Sequence, residues 1–275
     1  MTRTQLNLFE TTYDIIDQKV NDSFWAYHAG MADGDGCFIG KNKIFYSLGL
    51  IDKNIIKEIS DLYGVKLCVC KKPKGHQKFY RVSLTSSNAK HFYSKVTPYL
   101  IEKRKKVRDI CKKYGVQIEN VEPISLQRRL DWLCGYFDAE GNVQMRTVRN
   151  KKSNTHVFSF KLRFTSCSLL TLRYVKRILN LLFNRNGEKS ILGLYKKPDK
   201  RQNRKQCYDL EIRKVSKIHL FARVFHPHIK VQRKIDKFKR ICSYSNIAAQ
   251  LKWTFGNINF KKNKKLRERW LKNDT

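Results

Sequence analysis

Apolar and polar residues alternate with a period of two in several short stretches of the chain. In "FSFKLRFT", Phe158, Phe160, Leu162 and Phe164 fall on one face, and Ser159, Lys161, Arg163 and Thr165 on the other. Tyr80, Val82 and Leu84 oppose Arg81, Ser83 and Thr85 in the same way. Such alternation predicts strands with one buried face. Helical runs separate them. The run Phe24–Ala32 is rich in Ala, Met and aromatic residues. It predicts a helix capped by Asp22 or Ser23 and ended by Gly34 or Gly36. A sheet with one apolar face must be covered by helices; here the opposite face is polar and basic.

The pattern occurs twice. "WAYHAGMADGDGCF" from Trp25 is echoed by "WLCGYFDAEGNV" from Trp132, which places Glu140 105 residues after Asp35. "SLGLIDKNIIKEISDLYG" from Ser47 resembles the stretch from Lys161. "FYRVSLTSSNAKHFYSKV" from Phe79 resembles "CYDLEIRKVSKIHLFARV" from Cys207, with Tyr80 answering to Tyr208 and His91 to His219. "PYLIEKRKK" from Pro98 resembles "PHIKVQRKI" from Pro227. Each copy reads helix, strand, strand, helix, strand, strand, helix, so the expected class is α+β in two pseudo-symmetric αββαββα halves. Residues 24–120 form the first half and 121–245 the second, with an extension at 1–23 and a basic one at 246–275. The link spans roughly Val116–Ser125, and Ser125 is the expected cap of the second motif helix. Ala26, Ala29 and Gly30 leave one helix face nearly bare, matched by Cys134 and Gly135. The two motif helices are therefore expected to pack on each other about a pseudo-two-fold axis.

Charge sharpens this picture. Among 275 residues, 58 Lys and Arg face 23 Asp and Glu, a net charge of +35. A phosphate-bearing partner matches that excess through counterion release. A membrane is a weaker match, since no apolar run approaches the roughly 18 residues of a span. No C-x-x-C pair occurs among the eight cysteines, which argues against structural zinc. The acidic N-terminal stretch resembles neither a signal nor a transit peptide. An intracellular, reducing location is expected, organellar matrix or microbial cytoplasm.

The paired helices would bring Asp35 and Glu140 together at two negative dipole ends. Two carboxylates so placed repel unless cations intervene. Hard divalent ions suit such ligands, and Mg²⁺ commonly uses one or two carboxylates plus substrate phosphates. Acid-held metal beside a basic surface suits phosphodiester hydrolysis. Other motifs fit poorly. Cys37 breaks an EF-hand, and Gly34, Gly36 and Gly40 miss dinucleotide-binding spacing. His226-Pro227-His228 lacks a third ligand.

His28–Gly36, "HAGMADGDG", and Leu133–Gly141, "LCGYFDAEG", resemble the two signature motifs of LAGLIDADG homing endonucleases, double-motif branch. The resemblance runs from about Phe24 to about Ile241. His28 and Ala32 depart from the usual larger or aliphatic residues. The resemblance implies that the sheets curve into two halves of a DNA-binding saddle, and that Asp35 and Glu140 are metal-binding and catalytic. Gly34 and Ala139, just before them, join the implied metal site. Asp33 and Asp138 are implied to be structural. Lys103 would supply a basic catalytic group, with Gln232 its equivalent by the Pro98 register. Asp52 and Ser166 would orient water. The implied cofactor is Mg²⁺, with Mn²⁺ able to replace it and Ca²⁺ supporting binding without cleavage.

DNA contacts are expected on the polar strand faces. In the first half these are Ile39, Lys41, Lys43, Ser47 and Arg81, with Lys71, Lys72, Lys74 and Lys78 in a hairpin loop. In the second they are Asn142, Gln144, Arg146, Lys161 and Arg163, then Asp209, Glu211 and Arg213. Lys196, Lys197, Arg201 and Arg204 belong to its hairpin loop. The expected activity is double-strand cleavage of a long non-palindromic DNA site by a monomer, leaving short 3′ overhangs. Two alternatives stand beside it: a maturase whose partner is its own intron RNA, and a structural RNA-binding protein.

Overall fold

The computed structural model describes residues 13–70, 78–121, 124–150, 155–183, 192–196 and 206–250. The first half runs α1 (Asp22–Gly34), β1 (Cys37–Gly40), β2 (Ile44–Leu50), α2 (Lys53–Leu62), β3 (Cys68–Cys70), β4 (Phe79–Thr85), α3 (Ser86–Val96) and α4 (Arg104–Lys113). The second repeats the order as α5 (Leu126–Glu140), β5 (Gly141–Asn150), β6 (Thr155–Ser166), α6 (Leu169–Phe183), β7 (Leu192–Lys196), β8 (Tyr208–Ile212), α7 (Val215–Phe225) and α8 (Gln232–Gln250). Each half thus holds the expected αββαββα unit followed by one further helix. The sheets are antiparallel, ordered β1-β2-β4-β3 and β5-β6-β8-β7.

The alternation does what it predicts. Val82, Leu84, Phe160, Leu162 and Phe164 are buried, while Arg81, Thr85 and Ser159 are exposed. Helices cover the apolar faces and leave the polar ones open.

The ladders correct one register. Leu50 pairs with Tyr80, and Ser166 with Tyr208. Leu50 therefore answers to Ser166, and Asp52 to Ser168. The sequence alignment is slipped by two residues, which a period of two conceals because every side chain keeps its face. The cap of α1 is Asn21, whose side chain accepts from Phe24 N at 3.2 Å, and not Asp22 or Ser23. Ser125 caps α5 as expected.

Residues 13–19 are helical and pack on α3 as part of the first half. Tyr13 stacks on His91 at 4.4 Å, and Asp17 pairs with Lys95 at 2.7 Å. The second boundary, at 245, falls inside α8.

Cys167 and Cys207 lie side by side, with Cα atoms 4.0 Å apart. They lie one step beyond the Ser166–Tyr208 rung. Adjacency across a ladder leaves no spacing motif in the sequence. Among the described residues, no helix is long and apolar enough to cross a membrane.

The motif helices α1 and α5 are in backbone contact. A Cβ at Gly30 would lie 2.0 Å from Trp132 O, and one at Gly135 would lie 1.9 Å from Tyr27 O. Only hydrogen fits at these two reciprocal points. Lower down, a Cβ at Gly34 would meet Ala139 Cβ at 2.4 Å and Glu140 Cγ at 3.1 Å. The close approach therefore persists to the C-terminal ends, where the acids sit.

Candidate active site and nucleic-acid face

The site is fixed by two buried aspartates in the last turns of the motif helices. Asp33 accepts from Ile101 N at 2.7 Å, Lys103 N at 2.9 Å and Trp132 Nε1 at 2.9 Å. Asp138 accepts from Lys230 N at 2.7 Å, Val231 N at 3.4 Å and Tyr27 OH at 2.7 Å. Each aspartate ties down the loop of its own half and grips an aromatic residue of the other motif helix. Tyr27 and Trp132 occupy equivalent motif positions, so the grip is pseudo-symmetric. Burial pushes both carboxyls up, and their hydrogen bonds pull them back. Asp33→Asn turns one accepting oxygen into a donor facing N–H groups. It is expected to cost about 2 kcal/mol, read in a denaturant melt, with the Lys103 loop released.

Asp35 is the C-cap of α1, and Glu140 is the last residue of α5. Burial raises Asp35, against Lys234, Lys103 and Arg233, which lower it. Burial, then the charges of Asp35 and Glu102, push Glu140 up to about 7, against Lys103 and Lys234. Two half-desolvated acids thus face each other across the helix contact. Among the described residues, no hydrogen bond supports either carboxylate.

Lys103 Nζ donates to Ala32 O at 2.7 Å, Gly34 O at 3.0 Å and Gly36 O at 2.7 Å. An ammonium has three donors, and all three serve the end of α1. Lys103 therefore neutralises the helix terminus, and the Gly34 carbonyl faces it. Desolvation lowers the Lys103 pKa.

The second half corrects the Gln232 assignment. Gln232 Nε2 donates to Asp236 Oδ1 at 2.8 Å on the exposed surface of α8. Lys234 stands in the place of Lys103. Its Nζ reaches Phe137 O, and Asp138 O at 2.7 Å. Desolvation lowers it to about 8, against the charges of Asp138 and Asp35. The Pro98 register holds at the loops, where Ile101 and Lys230 both donate to the aspartates. It then slips by two before the last helix, so that Val107 and Ile110 answer to Phe238 and Ile241. The buried apolar spacing of α4 and α8 carried that signal.

Glu102 accepts from Ser166 Oγ at 3.2 Å, and Arg233 reaches Asp52 at 3.4 Å. Ser166 and Asp52 thus sit beside the centre, bound to side chains from the opposite half. Sequence reasoning missed Glu102 and Arg233 because nothing local marks them.

His28, which departs from the motif, is wholly buried with Nε2 at 3.3 Å from Glu58. Lys230 of the second half meets the same Glu58 at 2.5 Å, so this position joins the halves.

On the open faces, Lys161 Nζ donates to Glu211 at 2.7 Å, and Arg213 donates to the other oxygen of Glu211 at 2.9 and 2.6 Å. Burial opposes the Glu211 charge, but those hydrogen bonds hold its carboxyl below the ordinary value. Arg163 and Thr165 both donate to Asp209, at 3.4 and 2.6 Å. Asn142, Gln144, Ile39, Ser47, Arg81 and Lys196 lie on their strands as expected. Lys41 and Lys43 lie in the β1–β2 turn, and Lys78 just before β4. Arg146 lies in β5 by its backbone. Lys71, Lys72, Lys74, Lys197, Arg201 and Arg204 lie outside the described residues.

Asp35 and Glu140 are the two carboxylates, under mutual repulsion, that this centre could offer a hard divalent ion. No group of three or more His, Cys, Asp or Glu that could hold a metal occurs among the described residues, so protein ligands alone would not complete a shell. Water and phosphate would complete the shell.

The duplicated αββαββα unit, with its motif helices packed at the centre, defines the LAGLIDADG homing endonuclease fold. The structure is similar to the LAGLIDADG meganuclease I-AabMI bound to uncleaved DNA, with a TM-score of 0.54 and 16% identity, covering 84% of this chain and 92% of that one. It is similar to the homing endonuclease I-LtrWI bound to target DNA, with a TM-score of 0.53 and 10% identity, covering 84% and 92%. It is also similar to meganuclease I-SmaMI bound to uncleaveable DNA, with a TM-score of 0.55 and 13% identity, covering 85% and 93%. No family model matches the chain.

Proposed function

We propose that the protein is a site-specific homing endonuclease that cuts both strands of a long, asymmetric duplex DNA by divalent-cation-dependent phosphodiester hydrolysis. The carrying observation is the meeting of Asp35 and Glu140 at two packed helix ends, between two sheets with open outer faces. The DNA bound in the structural neighbours supports the same reading. Both motifs lie in one polypeptide, so a monomer presents two unlike half-sites. Mg²⁺ is the expected ion.

Asp35 and Glu140 would hold the cations. When bound, these supply Lewis acidity and an activated water. Lys103 and Lys234 limit the negative charge of the centre and fix the two helix ends. Lys234, at about 8, can hold or release a proton near neutral pH beside Asp35. The basic residues of the strand faces contact phosphates and base edges.

The test is cleavage of a randomised duplex library with Mg²⁺ or EDTA, with the cut ends sequenced. Metal-dependent cuts at one long non-palindromic site are expected. Absence of cuts, with tight binding to a structured intron RNA, would overturn the reading in favour of a maturase.

Metal affinity is expected to rise with pH. Glu140 must ionise to bind a cation, and it stands at about 7 without one. Below that value each pH unit should cost about tenfold in affinity, and above it the dependence flattens. Calorimetric titration with Mn²⁺ across this range checks it. A flat profile would remove Glu140 from the ligand set.

A further inference from the structure

The two open faces can be compared rung by rung. In the first half, Cys37 pairs with Ser47 and Ser47 with Ser83; Ile39 pairs with Phe45 and Phe45 with Thr85; Gly49 pairs with Arg81 and Arg81 with Cys68. Arg81 is the single charge among these nine residues, and Lys43 of the β1–β2 turn lies over the Phe45 ring at 5.9 Å. Ile39 is 39% exposed, and the Phe79 ring lies where a Cβ on Gly49 would be. In the second half, the matching rungs run Asn142–Arg163–Glu211–Gly193 and Thr165–Asp209–Tyr195, with Gln144 opposite Lys161. Arg213 follows β8 and lies over the Tyr195 ring at 5.2 Å.

Asp209 and Glu211 are 8% and 5% exposed. On a face meant for a polyanion, two buried carboxylates weaken general attraction. What they provide is order. Glu211 holds Lys161 and Arg213 from opposite oxygens, and Asp209 holds Arg163 and Thr165. A held arginine or lysine loses less freedom on meeting a base edge. Arg and Lys pair best with guanine O6 and N7, and a carboxylate accepts from the cytosine amino group. Among the described rungs, the first-half face offers one arginine, Arg81, and three hydroxyls, Ser47, Ser83 and Thr85, beside apolar groups that match thymine methyls.

We infer that hydrogen-bonded base discrimination is concentrated in the half-site beneath the second sheet. There Asp209 and Glu211 act as specificity-determining positioning residues for Lys161, Arg163 and Arg213, and the preferred bases are G·C pairs. On its described rungs the first half contributes fewer charged contacts, through Arg81 and the hydroxyls of Ser47, Ser83 and Thr85. This inference rests on the endonuclease reading above.

The test is selection of bound duplexes from a library randomised across the whole site, for the wild type, Asp209→Asn and Glu211→Gln. Affinity for a non-target duplex is measured at fixed salt. The wild type is expected to discriminate most strongly, and for G·C, on one side of the cut. Both variants should flatten positions on that side only. Each should also bind the non-target duplex about threefold to tenfold more tightly, because a negative charge has left the face. A merely structural role would lower affinity for every duplex instead. Arg163→Gln, which leaves both acids in place, should lose about tenfold discrimination at one base pair on the same side. Equal discrimination on both sides, or variants that weaken all binding while leaving the base pattern intact, would overturn the inference. A wild type with no preference for any duplex would instead overturn the endonuclease reading itself.

Discussion

Asp35→Asn and Glu140→Gln are each expected to lower cleavage by about 10³-fold or more while leaving DNA binding within a few-fold. Under the proposed function each carboxylate would supply ligand charge for the cations, and neither amide could replace it. Binding survives because the strand faces lie apart from the helix ends. A second consequence separates this account from simple damage to the fold. Burial and then the charge of Asp35 raise Glu140 from 4.5 to about 7. The folded protein therefore holds a proton there that the unfolded chain releases, and stability at this group falls as pH rises from about 4.5 to about 7. Above that window both acids are charged and repel. Asp35→Asn removes the repulsion. The metal-free variant should be more stable than the wild type at pH 8, by on the order of 1 kcal/mol after discounting for solvent screening. Thermal melts in EDTA, paired with nicking assays in Mg²⁺, measure both effects. A variant that cleaves at the wild-type rate would remove that acid from the mechanism.

Gly135→Val is expected to be the most damaging single change away from the acids. Its Cβ alone would lie 1.9 Å from Tyr27 O and 3.0 Å from Met31 N, both backbone atoms that no rotamer can move. Helices α1 and α5 would have to separate along their length. The Asp33–Trp132 and Asp138–Tyr27 bonds would be strained together, since both span the same contact. A loss of about 3 kcal/mol or more is expected, with Trp132 fluorescence shifting as its indole loses its carboxylate partner. Gly30→Val should behave alike. Gly64→Ala is the useful control. Gly64 has φ +60° with open space around it, so only backbone strain applies and about 1 kcal/mol is expected. Equal melting points for Gly135→Val and Gly64→Ala would show that the helices are free to part.

The duplicated motif, the alternating strands and the bare helix faces were legible because each is a local, periodic signal. Asp35 and Glu140 were legible for the same reason, as the last acids of two matching helix ends. The slips were also physical. Strand period hides a shift of two, so Asp52 was matched to Ser166 when the ladder matches it to Ser168. The slip before the last helix hid Lys234 behind Gln232. Glu102, Arg233, and the adjacency of Cys167 and Cys207 depend on contacts between segments far apart in the chain.

By itself the sequence determined which residues alternate, where helices end in glycine and acid, and that the whole scheme occurs twice in a strongly basic chain. Those are properties of neighbours along the backbone, which spacing records directly. The tertiary structure alone decided which lysine answers Lys103, that both ammoniums are held on helix carbonyls, and that one sheet face is a network of paired charges while the described rungs of its twin carry a single charge, Arg81. These depend on register between distant strands and on the depth at which side chains are buried, and a one-dimensional pattern carries neither.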